Sequence, residues 1–137
     1  MKLNFKHNTK LRVRYGETDQ MGYCYYGNYA QYFEVGRVET LRSLGMSYKS
    51  LEDRGVMLPV SHFEIDYKSP AIYDDELTVS TSIVEVIGSR IIFDYVITKE
   101  ERIVAIASTT LVFVSKVKMK PIQPPTEFIE LIRDYLI

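Results

Sequence analysis

The chain has 137 residues, 17 basic against 18 acidic side chains, a formal net charge of −1 and 46% apolar residues. That length suits one domain, residues 1–137, which can bury a core without disulfides or a structural metal. Near-neutral charge excludes nucleic acid as the main partner, which requires a net or clustered positive field, and the apolar content excludes disorder.

Cys24 is the single cysteine, which excludes an internal disulfide and any multi-cysteine metal site. No apolar run approaches the roughly 20 residues of a membrane span, and Met1-Lys2-Leu3-Asn4-Phe5-Lys6-His7 is too polar for a signal peptide. The expectation is a cytoplasmic protein with no integral membrane association.

In chain order, Leu11, Val13 and Tyr15 alternate with Lys10, Arg12 and Arg14, which predicts a strand over 10–15. His7 then falls in a mobile terminus. The polar stretch Gly16 to Gly22 reads as a loop. A long helix is expected from Asn28, its N-cap, to Leu44, with Gly45 as its stop. Ala30, Phe33, Arg37, Leu41 and Leu44, joined by Val38, form its apolar stripe. Gly36 inside the helix costs about 1 kcal/mol against alanine, so it marks a close approach to a sheet. Glu34 and Arg37 are three apart and pair most simply as ions, within or between helices. A shorter helix begins at the cap Ser47 and ends near Gly55.

Strands are expected at 58–67, 76–86, 90–98 and 102–116, each rich in Val, Ile, Thr, Phe and Tyr. Ile103 to Val114 is apolar on both faces, the pattern of a strand buried on two sides. A last helix covers 126–135, with Phe128, Ile129, Ile132 and Leu136 on one side. One long helix cannot cover both faces of about five strands. The sheet must curl around the helix, or bury its other face on a second copy, or both. A curved antiparallel sheet wrapped on one helix is the hotdog arrangement, an α+β fold.

Candidate chemistry is sparse. His62 lies among alternating strand neighbours and reads as structural. No serine has a nucleophile-elbow context, no glycine pattern fits a phosphate loop, and no His or Cys pair has zinc spacing. Cys24 has no histidine near in sequence and reads as a small buried thiol. The densest candidate is Tyr15-Gly16-Glu17-Thr18-Asp19-Gln20-Met21-Gly22, directly before Tyr23-Cys24-Tyr25-Tyr26-Gly27-Asn28 and the long helix. It is either a polar loop with a capping aspartate, or a carboxylate beside free helix amides that can hold an oxyanion.

Tyr15-x-Glu17-Thr18-Asp19-x-x-Gly22-x-x-Tyr25-x-x-Asn28-Tyr29, followed by Phe33-Glu34 and Arg37, resembles the signature of the 4-hydroxybenzoyl-CoA thioesterase family of hotdog proteins. It is most similar to the acyl-CoA thioesterases associated with the bacterial Tol–Pal system. The resemblance continues through Asp66-Tyr67-Lys68-Ser69-Pro70-Ala71 and Tyr73-Asp74-Asp75-Glu76-Leu77 to Lys118-Met119-Lys120-Pro121. It implies hydrolysis of an acyl-CoA to a free acid and CoA, without cofactor or metal. Asp19 matches the family's catalytic carboxylate, as base or nucleophile, and Tyr26 its oxyanion amide. Two positions depart: Glu17 stands where aspartate is usual, and Tyr26 where histidine is frequent.

The resemblance also implies substrate contacts at Glu17, Gly22, Tyr25, Asn28 and Tyr29, and CoA contacts at Ser89 and Arg90, with Lys68 and Lys120 as further basic candidates. The tyrosines at 23, 25, 26 and 29 would wall the acyl pocket. It implies sites shared between two chains, hence a homodimer and, as the common assembly, a dimer of dimers. Two rival readings remain on the same fold. A hydroxyacyl dehydratase would need a histidine, and none lies between His7 and His62. A non-catalytic acyl-CoA binding module or sensor would bind without releasing thiol.

Overall fold

The computed structural model describes residues 1–137. The long strands are β1 (Lys2–Arg12), β3 (Val60–Tyr67), β4 (Glu76–Ile87), β5 (Arg90–Lys99) and β6 (Arg102–Val112). They form one antiparallel sheet in the order β1-β4-β5-β6-β3. Short strands β2 (Val56–Met57), β7 (Val114–Ser115) and β8 (Lys120–Pro121) make a separate three-stranded patch. The helices are α1 (Tyr29–Leu44), α2 (Tyr48–Asp53) and α3 (Thr126–Ile132), with 3-10 turns at Tyr15–Glu17, Tyr26–Asn28 and Arg133–Tyr135.

Alternation explains the sheet. Leu77, Val79, Thr81 and Ile83 of β4, and Ile91, Phe93, Tyr95 and Ile97 of β5, are all buried on one face. Helix α1 lies on that face and buries Tyr29, Tyr32, Phe33, Gly36, Arg37, Thr40, Leu41 and Leu44. Ala30 and Val38 are not part of that stripe; Ala30 is exposed and Val38 half-buried. Phe33, Arg37, Leu41 and Leu44 keep their expected places on the buried face, which also includes Gly36. A Cβ there would lie 2.5 Å from the Thr81 hydroxyl oxygen and 2.8 Å from a Val79 methyl. The expected close approach is therefore real, and the same buried face carries polar-tipped Tyr32 and Thr40, whose hydroxyls bond to the Glu17 carboxylate and the Gly36 carbonyl. This is the hotdog arrangement: five curved antiparallel strands against one long helix.

Several elements differ from expectation. The first strand occupies Lys2–Arg12, and Tyr15 instead opens a 3-10 turn and stacks on Tyr73 at 3.8 Å. His7 is not in a loose terminus but pairs with Thr81 across the β1–β4 ladder. One face of β1 looks to water, so its polar residues 2–9 still alternate as a strand. β6 ends at Val112, because Val114 and Ser115 leave the main sheet for β2 and β8. Only one face of β6 is buried; Ile103 and Ile106 are exposed on the other. Leu136 leaves the last helix and bridges to Leu3. His62 is exposed on β3, and its ring lies 3.8 Å from Glu64. No helix is long and apolar enough to cross a membrane.

Candidate active site

The N-terminal end of α1 gathers most of the residues that the sequence singles out. Thr18 bridges Cys24, folding residues 17–25 into a narrow hairpin, and Tyr23 bridges Ile72. The Cys24 amide donates to the Ala71 carbonyl at 2.7 Å. These pairings lock the loop to the segment before β4.

The two carboxylates of the loop have different fates. Glu17 is buried and fully engaged. Its Oε1 accepts from the Arg14 amide at 2.9 Å and from the Tyr32 hydroxyl at 2.9 Å. Its Oε2 accepts from Arg14 Nε at 3.2 Å and Nη2 at 3.0 Å. Burial pushes the Glu17 pKa up, but the Arg14 and Tyr32 hydrogen bonds outweigh it and hold the carboxyl below its ordinary 4.5. The Glu17 carbonyl also accepts from the Tyr25 amide at 2.8 Å and Asn28 Nδ2 at 2.7 Å. Glu17 is thus a strut between loop and helix, with no carboxylate oxygen left open to a substrate.

Asp19 is only half-buried. Its Oδ1 accepts from the Met21 amide at 3.0 Å and the Tyr23 amide at 3.3 Å, and its own amide donates to the Tyr23 carbonyl. Oδ2 has no partner in the chain. Gly22 closes this turn at φ +82°, a left-handed conformation that glycine adopts at no steric cost, with its amide on the Asp19 carbonyl.

Asn28 does not cap the helix. Its backbone is already helical, and its side chain reaches back to Glu17. The helical path starts instead at Tyr26, after extended Tyr25. The Tyr25 and Asn28 amides are engaged, whereas those of Tyr26 and Gly27 donate to no acceptor in the chain. Two free first-turn amides carry the partial positive charge of a helix start.

Tyrosines surround this point. Tyr67, from the end of β3, donates its hydroxyl to the Tyr26 carbonyl at 3.1 Å and packs edge-on to Tyr29 at 5.4 Å and Tyr26 at 6.2 Å. Tyr25 tilts against Tyr26 at 4.8 Å. Buried Cys24 lies 3.3 Å from the Tyr32 hydroxyl, and burial raises its pKa, which keeps the thiol protonated.

Glu17, Asp19, Gly22, Tyr25, Tyr26, Asn28, Tyr29 and Lys68 therefore share one end of the molecule, Lys68 directly following Tyr67. Ser89 and Arg90 do not. They occupy the β4–β5 turn, at the far end of β4 from the segment to which the Asp19 loop is locked. Lys120, on β8, also lies outside the group. The five main grooves of the chain do not have Asp19 among their lining residues. Sequence reasoning missed Arg14, Tyr32 and Tyr67 as parts of this region. Tyr67 stands within a quoted motif, but nothing in its spacing announces contact with Tyr26.

A curved five-stranded sheet on one helix, with a carboxylate turn leading into open helix amides, defines a class. The thioesterase-like superfamily matches residues 13–132, and the chain belongs to it. Its activity is thioester hydrolysis. The putative acyl-CoA thioesterase YneP of Bacillus subtilis is 37% identical over 115 residues, 83% of each chain. The acyl-CoA thioesterase YbgC of Haemophilus influenzae is 34% identical over 118 residues, 85% of this chain and 87% of that one. Among solved structures, a DHNA-CoA thioesterase from Staphylococcus aureus superposes with a TM-score of 0.90 at 31% identity, covering 94% of this chain and 89% of that one.

Proposed function

We propose that residues 1–137 act as one cytoplasmic acyl-CoA thioesterase domain, with Asp19 as the catalytic carboxylate and the Tyr26 turn as the oxyanion site. The observation that carries this reading is a juxtaposition. One short hairpin, tied by Glu17 to the helix start, joins a carboxylate with an open oxygen to two amides with no internal acceptor. The thioester carbonyl oxygen would accept from the Tyr26 and Gly27 amides, which are preorganised for the charge that develops there. Asp19 takes a proton from water as the water oxygen bonds to the carbonyl carbon. Collapse of the tetrahedral adduct breaks the C–S bond, and the leaving CoA thiolate takes up the proton. If Asp19 attacks the carbon directly, the C–S bond breaks, CoA leaves as the thiolate and an anhydride forms; water then opens it to the free acid and the Asp19 carboxylate, and its released proton goes to the thiolate. One turnover in ¹⁸O-water detects the anhydride route when water opens it at the Asp19 carbonyl, since the general-base route places the label only in the product acid.

We further propose a homodimer, itself paired into a dimer of dimers. Strand β3 is a sheet edge with Val60, Phe63 and Tyr67 exposed, and an open edge is a pairing template. A second copy would supply a wall beside Asp19 and bring its own Ser89 and Arg90 towards the CoA phosphates. The outward Ile103 and Ile106 favour a further contact.

Asp19→Asn tests the assignment with a panel of short, long and aromatic acyl-CoAs and a thiol-reactive dye. Turnover should fall at least about a hundredfold with unchanged melting temperature. Near-normal turnover by the variant defeats the role of Asp19. Binding without thiol release by the unmodified protein makes the chain a sensor. A stable, active monomer by light scattering at micromolar concentration refutes the dimer.

A further inference from the structure

A groove of about 310 Å³ runs between α1 and β3, with Ala30, Phe33, Arg37, Val60, Phe63 and Thr109 among its walls. Ala30, Phe33 and Arg37 follow one another on one helical stripe, which projects back to Tyr26. Strand β3 crosses this stripe in the opposite direction. Tyr67 meets Tyr26, Phe63 meets Phe33 edge-on at 5.9 Å, and Val60 joins Arg37 in the groove. The groove therefore lies farther along the same helix face than the oxyanion turn, with Phe33 and Phe63 as aromatic walls and Arg37 beside them.

That guanidinium is anomalous. Arg37 is 7% exposed, yet it has no carboxylate partner; the expected pairing with Glu34 does not form. Its Nε donates to the Tyr48 hydroxyl at 3.1 Å and Nη1 to the Tyr95 hydroxyl at 3.4 Å. Thr109 holds the Tyr95 hydroxyl at 2.6 Å. An arginine has five N–H donors, so the Nη2 pair and one Nη1 proton remain unmatched. Nη2 is not sealed off, since the only enclosed side-chain polar atoms without partners are the Thr9 and Thr81 hydroxyls. A buried cation with unmatched donors beside this groove, whose lining also includes Gln31 and Glu34, favours an oxygen acceptor there.

We propose that Arg37 reads the far end of the acyl group, so that the preferred substrates carry an oxygen there, as a hydroxyl or a carboxylate. This rests on the acyl-CoA reading above. Arg37 is ten residues beyond Gly27, about 15 Å along the helix axis. Helical side chains lean towards the N-terminus, which shortens the gap to roughly 10 Å from the thioester carbon. An acyl chain of about eight carbons crosses that distance at about 1.3 Å per bond.

The test compares octanoyl-CoA, 8-hydroxyoctanoyl-CoA and the CoA monothioester of octanedioic acid, in the unmodified protein, Arg37→Met and Arg37→Lys. The unmodified protein should favour one or both oxygenated substrates in kcat/KM by about tenfold to a hundredfold. Arg37→Met should bring the ratios to within twofold of one, and Arg37→Lys should retain part of the carboxylate preference. Absence of a preference in the unmodified protein overturns the proposal whatever the variants do. A preference that persists in Arg37→Met also overturns it. If Arg37→Met fails to fold, the ratios in the unmodified protein and in Arg37→Lys decide. Ketone analogues, with methylene in place of the thioester sulfur, are titrated in parallel. If they bind with the oxygen preference while no thioester is cleaved, the hydrolysis reading fails and the role of Arg37 stands.

Discussion

At one end of the sheet, charge is enclosed; at the other, it is left in water. Around the start of α1, Glu17 receives four hydrogen bonds through its carboxylate, and Asp75 is buried with Lys99 against it and the Ile72 amide on its other oxygen. Around the β4–β5 turn and the β7–β8 hairpin, Arg90, Lys116, Lys118 and Lys120 are exposed and make no ion pair. Positioning an acyl carbonyl within a fraction of an ångström requires a braced loop. Attracting phosphates requires only charge at the surface, which works at a distance and tolerates motion. The separation of the two ends within one chain also explains why a shared site in a dimer is the economical reading.

Glu17→Ala should break the braced end most. It leaves the Arg14 and Tyr32 donors without their acceptor, and the loss should be about 2–4 kcal/mol by urea denaturation, together with most of the turnover. A change below about 0.5 kcal/mol would show that the brace contributes nothing. Gly36→Ala, between the two ends, should cost about 1 kcal/mol. Overpacking against Thr81 and Val79 costs about 1–3 kcal/mol, and improved helix propensity offsets about 1.

Acid sharpens the same contrast. The Glu17 and Asp75 carboxyls lie below their ordinary values of 4.5 and 3.8, through hydrogen bonds from Arg14 and Tyr32 in one case and Lys99 and Ile72 in the other, against the opposing effect of burial. The folded state therefore binds protons less readily than the unfolded state. Stability is fully present above the ordinary values and is lost as pH falls through them towards the lower folded ones. Thermal melts should be flat from about pH 7 to about 5 and fall below that, with a shallower fall in Glu17→Ala. At the solvated end, Arg90→Ala should leave stability within about 0.5 kcal/mol. It should raise KM for acyl-CoA a few-fold, and the rise should fade with added salt. An unchanged KM at low salt removes Arg90 from the CoA contacts.

Much of the fold was legible because its signals are local. Alternation marked β4 and β5 to within a residue, and Ser47 and Gly45 marked the helix ends, as their cap bonds confirm. Gly36 was readable because a glycine inside a helix needs a reason. The first strand was misplaced because an edge strand with one wet face looks polar, and the Asn28 cap failed because its amide was claimed by the Glu17 carbonyl. The Tyr32–Glu17 bond and the Tyr67–Tyr26 bond join residues 15 and 41 apart, and no periodicity encodes either.

By itself, the sequence determined the order of the long elements, the hotdog class and the loop in which acid chemistry could sit, since each depends on neighbours along the chain. Only the tertiary structure decided that Glu17 is a strut while Asp19 keeps an oxygen open, that the free amides belong to Tyr26 and Gly27, and that Arg37 turns inward without an acid. Those outcomes depend on which distant donors and acceptors reach a group first once the helix has settled on the sheet, and local spacing carries no record of that competition.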